Sequence, residues 1–177
     1  MAVAAFSDPD LILGSEVIQL QPYGQRFILH PGQITSVIWS TDLKWETVRF
    51  SRLNAPLIAD SRGIYAFIIR SEHSALPPHG YVTYIGITGD EAEGRTLRIR
   101  YGEYIQHQGI SKPKKRVGVN NMLRIWRDCL FFSFACVSDK VNLGELEITL
   151  NDCLIPPFVT KDFSPSIRAA KAAFELR

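Results

Sequence analysis

The sequence lacks the features that define several large classes of protein. Across its 177 residues no apolar run reaches the length of a membrane-spanning helix. The opening residues show no basic segment followed by a long apolar stretch. There are no repeats, no glycine-rich phosphate-binding loop and no zinc-type spacing among the four histidines. We therefore expect a soluble, intracellular protein, cytoplasmic in location and without a membrane partner.

Cysteine and net charge are also scarce. Cys129, Cys136 and Cys153 lie in apolar runs without metal-type spacing, which predicts reduced core residues in a cytosolic protein. The net charge is only +2, so any nucleic-acid-binding surface must be a local patch. With 46% hydrophobic residues, the chain is able to bury one core, and we expect one compact domain.

Two short apolar runs are the most informative part of what is present. The first begins with Gly-Ile-Tyr (residues 63–65) and the second includes Tyr-Ile-Gly (residues 84–86). Both are rich in aromatic and β-branched residues, which is typical of strands. If the runs pair antiparallel, Tyr65 and Tyr84 lie at the same end of the ribbon and are able to face one pocket. Strand tyrosines are common, so packing alone also explains these two side chains.

The two tripeptides, in this order, resemble the paired signature of the GIY-YIG nuclease family. Thr88 stands where the family pattern usually continues, and the resemblance extends over residues 63–158. The insert between the runs, residues 70–80, is longer than the usual hairpin loop of the family. The resemblance implies an α+β fold with a three-stranded antiparallel sheet flanked by helices, in the order β-β-α-β-α.

We expect this core, at residues 61–160, to carry an extension on each side. Residues 1–60 are predicted to be a β-rich N-terminal extension packed on the hairpin, and residues 161–177 a C-terminal helical tail. The candidate strands of the extension are residues 16–20, 26–29, 34–39 and 47–50. Residues 130–137 are apolar on both faces, which predicts a central strand covered on both sides.

Residues 95–108 show a helical pattern with one apolar stripe. Arg100, Tyr104 and His107 fall along one edge of that stripe, and Arg98 flanks the other edge. Periodicity does not choose between the two arginines. The resemblance favours Arg100, because the family places an arginine commonly one turn before a histidine, and Tyr104 stands at that histidine position. His107 and Thr88 are weaker candidates, and a solvated helix arginine is the plain alternative for Arg100.

A cluster of positive charge follows this helix. Its members are Lys112, Lys114, Lys115 and Arg116. Such a run is usually a solvated loop, but in a nuclease it is a candidate for contacts with DNA phosphates. Binding through it would depend steeply on salt concentration.

The predicted helix at residues 143–154 carries an acidic side chain on its apolar stripe. Asn142 is a plausible N-cap, and Glu147 falls among the leucines of the stripe. An unpaired buried carboxylate is costly, so Glu147 is expected to be paired, protonated or bound to a cation. The resemblance implies a metal ligand. Pro156 and an aromatic residue follow as in the family, whereas Val159 and Thr160 stand where the family often has asparagine.

The resemblance implies a divalent-metal-dependent endonuclease that hydrolyses phosphodiester bonds of double-stranded DNA. Glu147 would hold Mg²⁺ (or Mn²⁺), Arg100 would contact the phosphate, and Tyr65 would activate or orient the water with support from Tyr84. A phenol is a weak base at neutral pH, so the role of Tyr65 as base or as orienting group stays open.

The biological role of such an enzyme is also open. A stand-alone restriction enzyme of type II is the first interpretation, and a homodimer is expected if both strands are cut. The alternatives are a structure-specific, repair or mobile-element nuclease, and a nucleic-acid-binding module that does not cleave.

Overall fold

The structure is a computed structural model that describes residues 18–37, 42–73, 75–90, 94–110 and 116–175. In these residues the chain is α+β, with one open antiparallel sheet of four strands and helices packed on both faces. The strands are β1 (Glu46–Arg49), β2 (Gly63–Ile69), β3 (Tyr81–Thr88) and β4 (Leu130–Cys136), in the spatial order β1-β4-β2-β3. The helices are α1 (Pro31–Ser36), α2 (Leu97–Gln108), α3 (Val117–Ile125), α4 (Leu143–Leu154) and α5 (Pro165–Glu175).

The predicted hairpin is formed by β2 and β3. Tyr65 is paired with Gly86 and Phe67 with Tyr84, so the two tyrosines are diagonal neighbours on the ribbon. Their ring centroids lie 6.4 Å apart, which is within the contact range of cross-strand aromatic pairs. The prediction that both phenols lie at the same end of the hairpin is therefore confirmed.

The sheet has one strand more than the three that were predicted. β4 is a central strand, as its continuous apolar run indicated, and it pairs with β2 on one side. On its other side it pairs with β1, which comes from the N-terminal extension. The hydroxyls of Thr47 and Ser133 also meet across this pair, at 2.6 Å. The prediction of three strands was wrong because it left this second edge of β4 without a partner.

The N-terminal extension is not β-rich in the part that the structure describes, residues 18–37 and 42–60. Among its described residues only β1 is a strand, and it pairs with β4 rather than with the hairpin. The candidate strand at residues 34–39 is helical over residues 34–36, which belong to α1, because Pro31 suits the first position of a helix. Residues 38 and 39 lie outside the described residues. The ring Nδ1 of His30 accepts a hydrogen bond from the backbone N–H of Gln33 at 3.1 Å and caps this helix. Residues 1–17 of the extension lie outside the described residues.

Two helices cover opposite faces of the sheet. On one face, α2 packs its buried Leu97, Tyr101 and Tyr104 against the aromatic side chains of β2 and β4. On the other face, α4 packs its leucines against Ile64 and the other apolar residues there. α4 begins as predicted, because the side-chain oxygen of Asn142 accepts a hydrogen bond from a first-turn N–H group. α2 begins at Leu97, two residues later than predicted, where the side-chain oxygen of Thr96 caps it in the same way.

The three cysteines do not share one environment. Cys153 is buried and Cys129 is half-buried, whereas Cys136 is exposed at the end of β4. The prediction of core cysteines therefore fails for Cys136, whose sulfur accepts a hydrogen bond from the Ser61 hydroxyl at 3.1 Å. None of the helices in the described ranges has the length and apolar character needed to cross a bilayer.

Candidate active site

A cleft of about 600 Å³ lies along the end of β3, at the edge of the sheet that both α2 and α4 reach. Its walls come from β2, β3, the start of α2, the start of α3, α4 and residues 158–162. Seven charged side chains line it: the cations Arg95, Arg100, Arg116 and Lys161, and the acids Asp90, Glu147 and Asp162. Because side chains of both charges line the cleft, it suits an anionic ligand that binds together with a cation.

The hydroxyl groups of two tyrosines meet one guanidinium group at this cleft. Arg100 donates from Nε to the Tyr65 hydroxyl at 2.9 Å and from Nη2 to the Tyr104 hydroxyl at 3.0 Å. The two hydroxyls lie 2.9 Å from each other. All three residues are buried, and Tyr65 and Arg100 line the cleft. Buried hydrogen bonds that involve a charged group hold their partners in a fixed geometry.

The glycines of the two tripeptides make this geometry possible. A Cβ atom at Gly86 would lie 2.5 Å from the Tyr65 hydroxyl oxygen and 3.1 Å from the Tyr84 ring. A Cβ atom at Gly63 would collide with the backbone oxygen of Ala135 on β4 and approach Leu97 to 2.8 Å. The missing side chains thus let the phenol lie against β3 and let β2 pack closely against β4 and α2.

Two of the tyrosines around Arg100 hold their protons more firmly than an ordinary phenol does. Burial raises the pKa of Tyr84 and that of Tyr104 well above the ordinary value of a phenol, and the nearby Tyr65 adds to both shifts. These two side chains are therefore neutral hydroxyl groups that retain their hydrogen. The Tyr65 oxygen accepts a hydrogen bond from Arg100 and lies within hydrogen-bond distance of the neutral Tyr104 hydroxyl.

A carboxylate on the same helix fixes the remaining side of the guanidinium group. Glu103 accepts from Nη1 of Arg100 at 2.6 Å and from Nη2 of Arg95 at 2.6 and 2.8 Å. Burial opposes its ionisation, but the hydrogen bonds from Arg95 and Arg100 outweigh burial and lower the pKa of Glu103. Burial would lower the pKa of Arg100, but Tyr65, Tyr104 and Glu103 raise it overall, so Arg100 is charged.

Glu147 enters the cleft from α4, on the side of the sheet opposite α2. It is half-buried between the buried Leu146 and Leu150. Burial raises the pKa of its carboxyl group to about 7, and the negative charges of Asp162 and Asp90 add to the rise. Arg100 acts in the opposite direction. Glu147 therefore lies in a partly desolvated site in which nearby acids and cations act on its pKa in opposite directions.

Two further side chains of α4 hold the segment that carries Lys161 and Asp162. Asn151 is fully buried and donates from Nδ2 to the backbone oxygen of Asp162 at 2.9 Å. The carboxylate of Asp152, also buried, accepts from the backbone N–H of Ser164 at 3.0 Å. The helix that provides Glu147 therefore also positions the acid and the lysine opposite it.

Four of the residues proposed from the sequence meet in this cleft: Tyr65, Tyr84, Arg100 and Glu147. Arg98 instead turns to the backbone oxygen of Ile58 and is exposed, so the arginine favoured by the resemblance is the one beside the phenols. Thr88 lines the cleft and donates its hydroxyl to the backbone oxygen of Arg95 at 3.3 Å.

His107 is not brought to the cleft. It lies two helical turns beyond Arg100, about 10 Å along the axis of α2, and it is absent from the lining. Of the predicted basic cluster, Arg116 lines the cleft from the start of α3 in a left-handed backbone conformation with φ of 51°. Lys112, Lys114 and Lys115 lie outside the described residues.

The sequence analysis missed three acidic residues of the site. Glu103 was detectable, because it stands three residues after Arg100 on a predicted helix and side chains at that spacing are neighbours. Asp90 and Asp162 carried no such signal, since they lie in two loops that are far apart in the sequence. Among the residues that the structure describes, no three histidine, cysteine, aspartate or glutamate side chains form a metal-binding group.

Comparison of the chain with protein-family models, with curated proteins and with solved structures found no match in any of the three.

Proposed function

We propose that this chain is a divalent-metal-dependent endonuclease that hydrolyses phosphodiester bonds of double-stranded DNA, in the manner of the GIY-YIG nucleases it resembles. The observation that carries the proposal is the convergence of Tyr65, Tyr84, Arg100 and Glu147 on one cleft. They come from four different elements, β2, β3, α2 and α4. Packing alone does not require two phenols, a guanidinium group and a raised-pKa carboxyl group to line one cleft.

The hydrogen bonds around Tyr65 support a role in preparing the attacking water. Its oxygen receives Arg100 Nε–H and lies 2.9 Å from the Tyr104 hydroxyl, so negative charge on that oxygen would be stabilised from two directions. Tyr65 then orients the water or accepts its proton. Tyr84 and Tyr104 have raised pKa values and serve as neutral hydrogen-bonding groups.

Arg100 supplies the positive charge that a phosphoryl group needs as its charge builds up. A guanidinium group has five N–H bonds. In the structure one is given to each of Tyr65, Tyr104 and Glu103, which leaves one on each Nη atom. The two remaining N–H bonds of Arg100 are available for nonbridging phosphate oxygens. The hydrogen bond to Glu103 fixes the orientation of the guanidinium group for this contact.

The donors around Glu147 fit a hard divalent cation. Mg²⁺ is usually held by one or two carboxylates, with waters and substrate phosphates as its other ligands. Glu147 has an oxygen donor in the cleft, with Asp90 and Asp162 close enough to raise its pKa, so these two acids would add to the attraction of a cation there. When bound, such an ion polarises the phosphate and stabilises charge on the leaving oxygen.

Each chain carries one such set of residues, and one set cuts one strand. We therefore propose that double-strand cleavage uses a homodimer, as in a stand-alone restriction enzyme of type II. Cutting only at branched or damaged DNA would instead indicate a structure-specific or repair nuclease. Binding without cleavage would indicate a module that keeps the scaffold alone.

The test is incubation of the purified protein with plasmid DNA and Mg²⁺, followed by sequencing of the product ends. We expect the protein to cleave the plasmid with Mg²⁺ or with Mn²⁺, and we expect a chelator to abolish cleavage. Discrete ends with a shared sequence indicate restriction, and ends confined to cruciform or damaged sites indicate a structure-specific enzyme. Intact plasmid, and intact branched substrates, under all these conditions would overturn the proposal.

A further inference from the structure

A second cavity, separate from the cleft, contains an excess of positive charge. This groove, of about 410 Å³, lies between the end of β1, the segment that follows it, the C-terminal end of α2 and the turn after α3. Three exposed arginines line it: Arg49, Arg52 and Arg127. One carboxylate, that of Asp128, accompanies them.

The three guanidinium groups of this arginine groove are not neutralised by the chain itself. None of them forms a salt bridge with a carboxylate of the described residues, although such pairs hold Arg62, Arg70, Arg95, Arg98 and Arg100. Arg49 donates to the backbone oxygen of Asp128 at 2.7 Å, which holds its guanidinium group at the groove. Three elements thus bring unneutralised positive charge together in a chain whose net charge is only +2.

The position of the groove relates it to the cleft. Arg100 lines the cleft and Gln108 lines the groove, and both belong to α2. Eight residues separate them, about 12 Å along the helix axis. A DNA strand advances about 3.4 Å per nucleotide along the duplex axis. The span of α2 between the two cavities therefore corresponds to about four nucleotides of a duplex.

From these observations we propose that Arg49, Arg52 and Arg127 form a second binding site, which takes the backbone phosphates of duplex DNA a few nucleotides from the bond that is cut. Arginine suits this ligand because its planar fork matches phosphate oxygens. Contacts of this kind position a duplex without reading its sequence. The identity of the polyanion as substrate DNA rests on the proposed function.

The test measures the binding of a duplex in the presence of a chelator, with NaCl varied from about 50 to about 200 mM. The variant is R52Q/R127Q, which keeps the Arg49 hydrogen bond to Asp128. Each phosphate contact contributes about −0.9 to the slope of log K against log salt, so the slope of the variant should be shallower by about 1.8. Over this fourfold range the wild-type protein should lose about twelvefold more affinity than the variant.

The matched control is K44Q/K140Q, which removes the same charge from two exposed positions outside both cavities. Its slope should be within about 0.5 of the wild-type slope. In plasmid cleavage, R52Q/R127Q should have a raised KM with kcat unchanged, and its thermal unfolding should match that of the wild-type protein. A variant that was merely destabilised would not combine a raised KM and an unchanged kcat with unchanged thermal unfolding.

The two proposals fail in different ways. In one outcome, R52Q/R127Q and the wild-type protein have the same affinity for DNA and the same salt slope, while E147Q abolishes cutting. This outcome would overturn the proposed phosphate site in the arginine groove and would support the proposed nuclease. If the salt slope changes as expected but neither the wild-type protein nor R52Q/R127Q cuts DNA, the phosphate site is supported and the nuclease proposal is overturned. Equal slopes for R52Q/R127Q and K44Q/K140Q, both shallower than wild type, would also overturn the groove, because net charge alone would then explain the effect.

Discussion

Single side chains in the cleft divide into groups that hold their protons and groups that exchange them near neutral pH. Tyr84 and Tyr104 have raised pKa values and remain neutral, and Arg100 remains charged. Glu147, with a pKa of about 7, changes its charge near neutral pH in the absence of a bound cation. Tyr65 is the phenol whose oxygen accepts a hydrogen bond from Arg100 Nε and also lies 2.9 Å from the Tyr104 hydroxyl.

The first prediction concerns the Tyr65 hydroxyl. Tyr65→Phe removes the acceptor of Arg100 Nε–H and should lower kcat by at least about a hundredfold, the size of a lost acid–base or water-positioning group. It should also lower the free energy of unfolding by about 1–3 kcal/mol, since a buried donor loses its partner. Tyr81→Phe, on the exposed start of β3, should change neither quantity. Cleavage kinetics and denaturant unfolding of both variants check this prediction. If Tyr65→Phe and Tyr81→Phe have the same kcat, the Tyr65 hydroxyl takes no part in the reaction.

The second prediction concerns the glycine beneath that phenol. Gly86→Ala places a methyl group 2.5 Å from the Tyr65 hydroxyl oxygen, so the ring must move. We expect a loss of about 1–3 kcal/mol in stability and a large fall in kcat with DNA binding retained. Gly102→Ala is the control, because a Cβ there meets nothing within 4 Å and alanine favours the interior of α2. If Gly86→Ala cleaves DNA normally, the close contact does not position Tyr65 for the reaction.

The third prediction concerns stability against pH without metal. The folded chain holds the Glu147 proton more tightly than the unfolded chain does, because the pKa rises from 4.5 to about 7. The wild-type protein should therefore lose stability as pH rises from about 4.5 to about 7, by up to about 3 kcal/mol. Glu147→Gln removes this loss, so it should unfold at a higher temperature than wild type at about pH 8 and at a similar one at about pH 4.

Glu145→Gln, on the exposed face of the same helix, is the control for that measurement. Its difference from wild type should be small at both pH values. A Glu147→Gln variant that is less stable than wild type at about pH 8 would show that the carboxylate is compensated by a partner in the folded chain.

Among the elements, α4 connects packing to chemistry most directly. It supplies Glu147, and its Asn151 and Asp152 hold the segment with Lys161 and Asp162. One helix therefore sets the spacing between facing walls of the cleft. The contacts of α4 with β3 place these walls at the end of the strand that carries Tyr84 and Gly86.

The fourth prediction concerns this connection. Asn151→Ala leaves the backbone oxygen of Asp162 without its buried donor and should cost about 1–3 kcal/mol of stability. Because Lys161 and Asp162 are then held less firmly, kcat should fall as well. Asn121→Ala, at a half-buried position of α3 where the side chain has only a long, exposed hydrogen bond from Arg124, should change stability by less than about 0.5 kcal/mol. Unfolding and cleavage assays compare the two variants. An unchanged kcat in Asn151→Ala would show that the position of Lys161 and Asp162 does not affect the reaction.

The elements also show which parts of the fold a sequence reveals. The hairpin, β4, α2 and α4 were predicted because their apolar patterns are long and continuous and the helices have capping residues. The N-terminal candidates failed, since short apolar runs fit either a strand or a helix, and Pro31 with His30 selects α1. β1 was predicted as a strand, but its partner was not, because pairing with β4 joins residues 86 positions apart, as the contact between Thr47 and Ser133 shows.

The candidate site was predicted in the same uneven way. Tyr65 and Tyr84 followed from strand pairing, and Glu147 followed from its place on an apolar stripe. The choice of Arg100 over Arg98 needed the resemblance, because helical periodicity treats both alike. Asp90 and Asp162 could not be found, since only the folded chain brings these loop residues to the cleft.

For the whole chain, local concentration of charge matters more than net charge. The net charge of +2 is spread so that the cleft carries both signs and the arginine groove carries mainly positive charge. The two cavities share α2 as a common wall. A duplex bound across both would be held by its backbone in the groove while one phosphate enters the cleft.

The fifth prediction concerns the assembly. If two copies are needed to cut both strands, dilution of the protein should convert double-strand cuts into single-strand nicks, while the rate of nicking per chain stays constant. Plasmid cleavage over a range of protein concentrations, with sedimentation analysis of the protein bound to DNA, measures this. A constant ratio of cuts to nicks, with one chain bound per site, would contradict the dimer.

The most direct test of the proposed chemistry compares Glu147→Gln with Glu145→Gln in Mg²⁺-dependent plasmid cleavage, with DNA binding measured in parallel. The account predicts that Glu147→Gln binds DNA with nearly the affinity of the wild-type protein and does not cut it, whereas Glu145→Gln cuts at the wild-type rate. Cleavage by Glu147→Gln at a rate near that of the wild-type protein would contradict the account.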